Sequence, residues 1–296
     1  MKSRTLVIAA PGVAIAAIAT ASVVAQVPPS IDELLTRVGE RIAEYYRRAQ
    51  NVICIERSTV QPIGYNYSPD GFSRTVESEL HVEAEGGDVP GEARVVREIR
   101  KVNGRLPREK DKKDRDGCTD PNPLSPEPLA FLLPAHRSEY RFTSAGFAKE
   151  KNRRAHVIEF ASAERGGKVE LNEDPKGRRD CYTWSGNVSV KGRVLVDVDT
   201  YEVLRLEQRY NGPVDVSVSQ KVQRQHNFDN WVVIERNDTT IRYKPIAFKE
   251  PDEVMLLPEE IQELIVVRGG LQSIRRTQTF ADYRRFLTSG RLVKEE

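Results

Sequence analysis

The sequence predicts a mainly β protein with some α: a large curved antiparallel sheet, or an unclosed β-barrel, of about ten strands. Three observations carry this prediction. Most of the chain alternates apolar and polar residues, one amphipathic helix precedes the alternating part, and one proline-rich insert interrupts it. Such alternation gives each strand a buried face and a solvated face, which is typical of antiparallel sheets. The prediction is completed by an N-terminal helix and a short helical lid.

The N-terminal helix is predicted to begin after Ser30 and to run for about 20 residues. Ser30 followed by Glu33 fits a capping box, in which each side chain satisfies a backbone amide of the first turn. Apolar residues then recur at steps of three and four, namely Ile31, Leu34, Leu35, Val38, Ile42, Tyr45, Tyr46 and Ala49. A stripe of this kind has to pack against another element.

Strands are predicted where the period changes to two. Segments 76–84 and 214–222 alternate apolar residues with charged or polar ones, and GRVLVDVDTYEVLRLEQRY at 192–210 predicts a hairpin that turns around Asp199 and Thr200. A short helix is predicted to begin near Leu257. The arginines and aromatics that alternate near the C-terminus could suggest RNA or phosphate binding. A final strand with packed aromatics and solvated arginines is the favoured interpretation.

The first 25 residues are predicted to be a secretory signal peptide. Lys2 and Arg4 precede an uncharged apolar run, and small residues occupy the cleavage positions before Gln26. Cleavage near Ala25 leaves residues 26–296 as a single exported β-rich domain, whereas an uncleaved run would act as a membrane anchor. Two of the 46 basic residues lie in the leader, so basic and acidic residues then balance at 44 each. Nucleic acid is therefore not expected as a partner.

A charged and proline-rich insert is predicted at about residues 105–135. It opens with RLPREKDKKDRD, whose balanced charges indicate a solvated loop, and continues with prolines from Pro121 to Pro134. Its short apolar centre is predicted to be a helix that forms a lid together with the N-terminal helix. The candidate ligand-contacting residues of this lid are Leu34, Val38, Leu129, Phe131 and Leu132.

The three cysteines suggest one disulfide in an oxidising compartment. Cys54 lies in an apolar run and is predicted to be a small buried side chain. Cys118 and Cys181 both lie beside polar, turn-forming residues, so a bridge between these two is the favoured pairing.

A search for catalytic and metal-binding motifs finds none. The four histidines are widely separated, and no paired metal-ligand spacing, nucleophile elbow, P-loop or dinucleotide fingerprint occurs. The acidic residues alternate with valines, which predicts solvated carboxylates on the outer faces of strands. The sequence therefore predicts no catalytic residue, no metal and no cofactor, and the protein is not expected to be an enzyme.

The N-terminal helix, the alternating strands and the stretch GRVLVDVDTYEVLRLE resemble the LolA/LolB-like group of periplasmic lipoprotein-localisation proteins, to which the sensor RseB is related. The resemblance extends loosely over residues 30–250. It implies an unclosed β-barrel with a helical lid that binds lipoprotein acyl chains or a related apolar ligand. This chain is longer than the lipoprotein carriers and contains the insert, and no ligand-contacting residue of the group is matched to a position here.

The sequence leaves two functional hypotheses open. The first is an exported cell-envelope binding protein, periplasmic or secreted, that holds an apolar or lipid-type ligand in a lidded half-barrel. Its partners would be a lipid, a lipoprotein acyl chain or an envelope protein, with peripheral contact to a membrane. The alternative is an envelope protein-interaction, assembly or sensor module whose core is filled and which holds no small ligand.

Overall fold

The computed structural model describes residues 29–49, 52–84, 93–108, 127–173, 182–226, 228–249 and 252–285. The predicted signal peptide, residues 109–126 of the insert, and both cysteines of the predicted disulfide, Cys118 and Cys181, lie outside the described residues. Signal cleavage near Ala25, the disulfide and the single-domain organisation of residues 26–296 stay predictions.

Helix α1 spans Ile31–Arg48, where the periodicity predicted a helix. The backbone amide of Glu33 donates a hydrogen bond to Ser30 Oγ at 3.2 Å, which satisfies one of the amides that a helix leaves free in its first turn. The apolar stripe is the buried face of the helix; its buried residues include Leu34, Leu35, Val38, Ile42 and Tyr46.

Three shorter helices occur among the described residues. A 3-10 helix at Glu127–Leu132 corresponds to the short helix predicted in the insert, and a second 3-10 turn follows at Arg137–Glu139. Helix α2 spans Gln220–His226. We call α1 and the 3-10 helix Glu127–Leu132 together the cover, because both lie on the same face of the sheet.

Thirteen strands in the described part of the chain form one sheet. They are β1 (Val52–Ile63), β2 (Arg74–Ala84), β3 (Ala93–Val102), β4 (Tyr140–Glu150), β5 (Arg153–Ser162), β6 (Val169–Glu173), β7 (Tyr182–Ser185), β8 (Val190–Asp197), β9 (Val203–Tyr210), β10 (Val214–Val218), β11 (Trp231–Lys249), β12 (Asp252–Arg268) and β13 (Ser273–Arg285).

The sheet is unclosed, which confirms the predicted fold class. Ten strands follow one path in the order β3-β2-β1-β13-β12-β11-β9-β8-β5-β4, so β3 and β4 are its two ends. Strands β10, β6 and β7 branch from β11. Neighbours pair antiparallel except β6 and β10, which are parallel.

The main core shows that the sheet curves around the cover. Side chains from β1 and β2 at one end of the path, and from β5 and β8 at the other, join the same buried cluster as α1 and the 3-10 helix. A second core is separate and lies between β6, β10, β11 and α2, where Leu171, Val216, Val222 and Val232 are buried.

The predicted hairpin at residues 192–210 is confirmed as β8 and β9. The buried carboxylate of Asp197 organises its turn. It accepts hydrogen bonds from the backbone amides of Asp199 and Thr200 at 3.0 and 2.9 Å, and from Arg153 Nε at 2.8 Å. Burial alone raises the pKa of Asp197, but these hydrogen bonds outweigh it and hold the pKa below its usual value.

Replacing Asp197 with asparagine is expected to lower the free energy of unfolding at pH 7 by about 1.5–3 kcal/mol, because hydrogen bonds to a charged acceptor are lost. The folded-state pKa lies below the unfolded value of about 3.9, so the charge stabilises the fold above that pH and ceases to do so as pH falls through the folded-state pKa. Urea unfolding of wild type and variant at pH 3 and pH 7 measures the effect. If the difference in their free energies of unfolding is as large at pH 3 as at pH 7, the role assigned to the Asp197 charge is contradicted.

Two sequence interpretations near the C-terminus were wrong. The helix predicted to begin near Leu257 is part of β12. Pro258 fits there because it lies beside a bulge in the pairing of β12 with β11. The pairing of β12 with β13 begins only at Glu260, so the missing amide hydrogen of the proline costs no hydrogen bond to β13. The arginines of β13 are not all solvated, because Arg276 is buried and pairs with Glu263 on β12 at 3.3 Å.

Candidate functional site

The two helices of the cover are held together by Arg137. Its Nε donates to the carbonyl oxygen of Leu132 at 2.9 Å, and its Nη2 donates to the carbonyl oxygen of Leu35 in α1. Gly39 lets the guanidinium approach the helix, since a Cβ at this position would collide with it. One side chain therefore joins the two helices of the cover.

The cover is fixed to the sheet mainly through α1. Arg37 Nη1 donates to the hydroxyl of Tyr201 at 2.9 Å, and Arg41 Nε donates to the carbonyl oxygen of Thr200 at 3.1 Å, both in the β8–β9 turn. At the C-terminal end of the helix, Arg48 forms an ion pair with Glu253 of β12 at 2.8 Å. Helix α1 is thus tied to the sheet in its middle and at its C-terminal end.

All five predicted lid residues lie in the main core. Leu34, Val38, Leu129, Phe131 and Leu132 are buried between the cover and the sheet. The ring of Phe131 packs on aromatic rings of β4 and β5, with ring centroids 4.5 Å apart for the contact with the β5 ring. Their role as ligand contacts stays a prediction.

A cleft opens beside the end of α1, between the cover and the inner face of β1, β2 and β11–β13. Its volume is about 60 Å³. The lining is mostly apolar and consists of Tyr45, Ala49, Val52, Cys54, Leu80, Val82, Arg97, Pro128, Ile241, Tyr243, Leu257, Pro258, Ile261, Phe280 and Tyr283.

The thiol and the tyrosine hydroxyls inside the cleft are neutral. Burial raises the pKa of the Cys54 thiol to about 12, so it is neither a thiolate nor a nucleophile at neutral pH. Burial also raises the pKa of Tyr45, Tyr243 and Tyr283. Tyr283 donates its hydroxyl hydrogen to the carbonyl oxygen of Pro258 at 2.7 Å. These groups make the cleft an apolar surface with a few hydrogen-bonding hydroxyls.

One end of the cleft is charged. Arg97 of β3 donates from Nε to Glu56 Oε2 at 2.6 Å, and Gln278 donates from Nε2 to Glu56 Oε1 at 2.6 Å. Glu56 and Gln278 are only 3% and 1% exposed. The prediction that acidic residues lie on solvated strand faces is therefore wrong for Glu56. This residue shares the parity of Val52 and Cys54, and that parity was the signal that could have located it.

The described residues show no arrangement suited to metal binding or to nucleophilic catalysis. No group of three His, Cys, Asp or Glu among them could hold a metal ion. His81 and His136 each pair with a nearby glutamate, at 2.9 and 3.0 Å, and His156 packs in an aromatic contact 4.9 Å from Phe147. None of the helices in the described ranges has the length and apolar character to span a membrane.

A larger groove of about 820 Å³ lies on the other face of β5, β8, β9 and β11. It is wide open, and charged side chains of both signs line it. Arg193 and Glu207 within it already pair with each other. A groove of this composition is a solvated surface, so the smaller apolar cleft is the better candidate site.

Comparison with known proteins gives structural matches alone. No protein-family model matches the sequence, and no curated protein does. A domain described as an outer membrane lipoprotein-sorting protein from Vibrio parahaemolyticus matches with 11% sequence identity and a TM-score of 0.35. The match covers 85% of this chain and 93% of that one. A LolA superfamily protein from Nitrosomonas europaea matches with 8% sequence identity and a TM-score of 0.35, over 86% of this chain and 94% of that one.

A DUF1329 family protein from Desulfovibrio piger also matches, with 12% identity, 87% and 94% coverage and a TM-score of 0.38. All three structures are distant from this chain, so its function has to be inferred from its own residues.

Proposed function

We propose that this protein is an exported binding protein of the cell envelope, acting in the periplasm, that holds an apolar or lipid-type ligand between the sheet and its cover. The observation that carries the proposal is the apolar cleft with a single basic side chain, Arg97, at its edge. Ligand sites are typically concave and apolar, with a few polar groups that fix orientation. A lipid or a lipoprotein acyl chain has this distribution of apolar and polar groups.

Ligand entry requires the cover to move. The cleft of about 60 Å³ is several-fold smaller than the roughly 300–1,000 Å³ of typical ligand sites. Since α1 is tied to the sheet through Arg37, Arg41 and Arg48, the 3-10 helix is the part that has to open. It contributes Pro128 to the cleft and is joined to α1 through Arg137. Its release would merge the cleft with the space now filled by Leu129 and Leu132.

The polar end of the cleft indicates where the ligand's head group would lie. Arg97 uses Nε and Nη2 to bind Glu56, and its Nη1 makes no hydrogen bond to the described residues. A carboxylate, ester or phosphate oxygen of an amphiphile would accept a hydrogen bond from this nitrogen. The chain of the ligand would then run along the apolar lining towards Phe280 and Ile261.

Filling the cleft tests the proposal. Cys54→Leu places a bulkier apolar side chain in the lining of the cleft, so it should weaken binding of a fluorescent fatty acid by about tenfold or more while leaving the fold intact. The matched control is Val222→Leu in the second core, which enlarges a buried residue away from the cleft. Equal affinity of Cys54→Leu and wild type, or no saturable binding by wild type, would exclude this site.

The alternative function, a protein-interaction, assembly or sensor module, is favoured by the packing of the cover and by the edges of the sheet. The cover is well packed, and the cleft is small in this conformation. Among the described residues, β3, β4 and β7 each pair with a single strand, so their outer edges are available to a strand of an envelope protein. Recovery of a stoichiometric protein partner, with no lipid and no fatty-acid binding, would support this alternative.

A further inference from the structure

Large apolar side chains are exposed together at one end of the sheet. Tyr65 and Phe72, in the loop between β1 and β2, are fully exposed. Leu106, after β3, is 81% exposed, and Trp231, at the start of β11, is 47% exposed. Fully exposed aromatic rings at loop tips are unusual in a soluble surface and indicate an interaction site.

The strand pairings place these residues at the same end. Ile63 at the end of β1 pairs with Ser273 at the start of β13, and Val76 near the start of β2 pairs with Val102 at the end of β3. Trp231 lies next to the turn that joins β12 to β13, because the following residues of β11 pair with the end of β12. Segments 64–74, 103–108, 228–231 and 268–275 therefore form one surface, which we call the exposed apolar end.

The loop that carries Tyr65 and Phe72 is held in a defined conformation. The backbone amide of Gly64 donates to the carbonyl oxygen of Ser68, and that of Asp70 donates to the carbonyl oxygen of Pro62, both at 2.9 Å. Gly71 has φ +102°, which a residue with a side chain rarely adopts. The two rings are thus presented to solvent by a hydrogen-bonded loop.

The charge of this surface is positive. Its four segments contain five arginines and two aspartates, in a chain whose basic and acidic totals are nearly equal. Arg268 pairs with Glu235, and Arg74 and Arg108 also have interaction partners. Aromatic rings with arginines around them match the interface of an anionic bilayer, where rings lie among the head groups and arginines meet phosphates.

We propose that the exposed apolar end docks the protein onto an anionic phospholipid membrane surface, with Tyr65 and Phe72 inserted among the head groups. This inference goes beyond the proposed function and does not depend on it. Strand β1 runs from Val52, which lines the cleft, to Ile63 at the exposed apolar end. At about 3.3 Å per residue, the two sites are roughly 35 Å apart.

Co-sedimentation of the exported protein, purified after signal cleavage, with vesicles tests the proposal. Wild type should bind vesicles of phosphatidylglycerol and phosphatidylethanolamine, bind phosphatidylcholine vesicles weakly, and lose binding as salt rises. The double variant Tyr65→Ser, Phe72→Ser should have an affinity for the anionic vesicles that is lower by about tenfold or more. The matched control is Phe147→Ser, which removes a half-exposed ring from the end strand β4.

Equal binding by wild type and the double variant, or no binding of wild type to anionic vesicles, would overturn the docking proposal. Self-association of wild type that the double variant abolishes, without vesicle binding, would assign the surface to a second copy of the chain instead. Because both residues are fully exposed, the double variant should unfold at the wild-type temperature. It should also keep wild-type fatty-acid affinity, so that failure of docking and failure of the cleft are distinguishable.

Discussion

Replacing Leu132 with alanine is expected to lower the free energy of unfolding by about 2–5 kcal/mol. Leu132 is completely buried in the main core, on the 3-10 helix that lies over the sheet. The substitution leaves a cavity where the 3-10 helix meets its neighbours, and this space cannot collapse fully because α1 is tied to the sheet through Arg37, Arg41 and Arg48. Equilibrium unfolding in urea measures the effect.

The same variant distinguishes a movable cover from a static one. Loosening the 3-10 helix should make ligand uptake faster than in wild type, in a stopped-flow experiment with a fluorescent fatty acid. Leu106→Ala is the control, because Leu106 is exposed and its loss should change stability by less than about 0.5 kcal/mol. A Leu132→Ala variant as stable as this control would show that the segment does not pack against the sheet.

Replacing Glu56 with alanine is expected to lower the free energy of unfolding by about 3 kcal/mol, which is the lower end of the range for breaking a buried ion pair. The loss leaves the buried amide of Gln278 without its acceptor and Arg97 without its counter-charge. The lower end applies because the Arg97 side chain is one quarter exposed and retains some hydration. Thermal and urea unfolding would measure it, and a cost below about 1 kcal/mol would contradict the buried network.

Glu56→Gln separates the charge of this residue from its shape. The amide keeps the size of the side chain and an acceptor for Arg97, but it no longer neutralises the guanidinium. If the head group lies at Arg97, this variant should bind a fatty acid several-fold more tightly, while its affinity for the uncharged methyl ester stays close to wild type. If the substitution changes the affinities for the fatty acid and the methyl ester by the same factor, the head group does not lie at Arg97.

The sheet and the first helix could be predicted because their signals are local. The stripe on α1 and the alternation on β8 and β9 are contained within single elements, and the structure confirms both. The helix predicted near Leu257 failed because the signal came from a proline followed by glutamates. The bulge on β12 and the missing β13 partner that accommodate Pro258 depend on neighbouring strands and are not visible in the local sequence.

The candidate site could be predicted only in part. The five residues predicted for the lid are buried beneath the cover, as their place in an amphipathic helix and a short apolar segment indicates, but none of them lines the cleft. The cleft itself was missed because β1, β2 and β11–β13 bring residues together from positions more than 200 apart in the chain, such as Cys54 and Tyr283. Glu56 and Arg276 were missed for a related reason: a charged residue on the inner parity of a strand is buried only when a partner from another strand meets it.

Native mass spectrometry of the protein recovered from the cell envelope without detergent is the most decisive test of lipid binding in the cleft. We expect a population carrying a bound lipid, released by organic solvent and absent from Cys54→Leu, while Val222→Leu keeps it. An unliganded mass alone, in a preparation that also fails to take up added fatty acid, would contradict a ligand-binding role. In that case the cover would be a permanent part of the core.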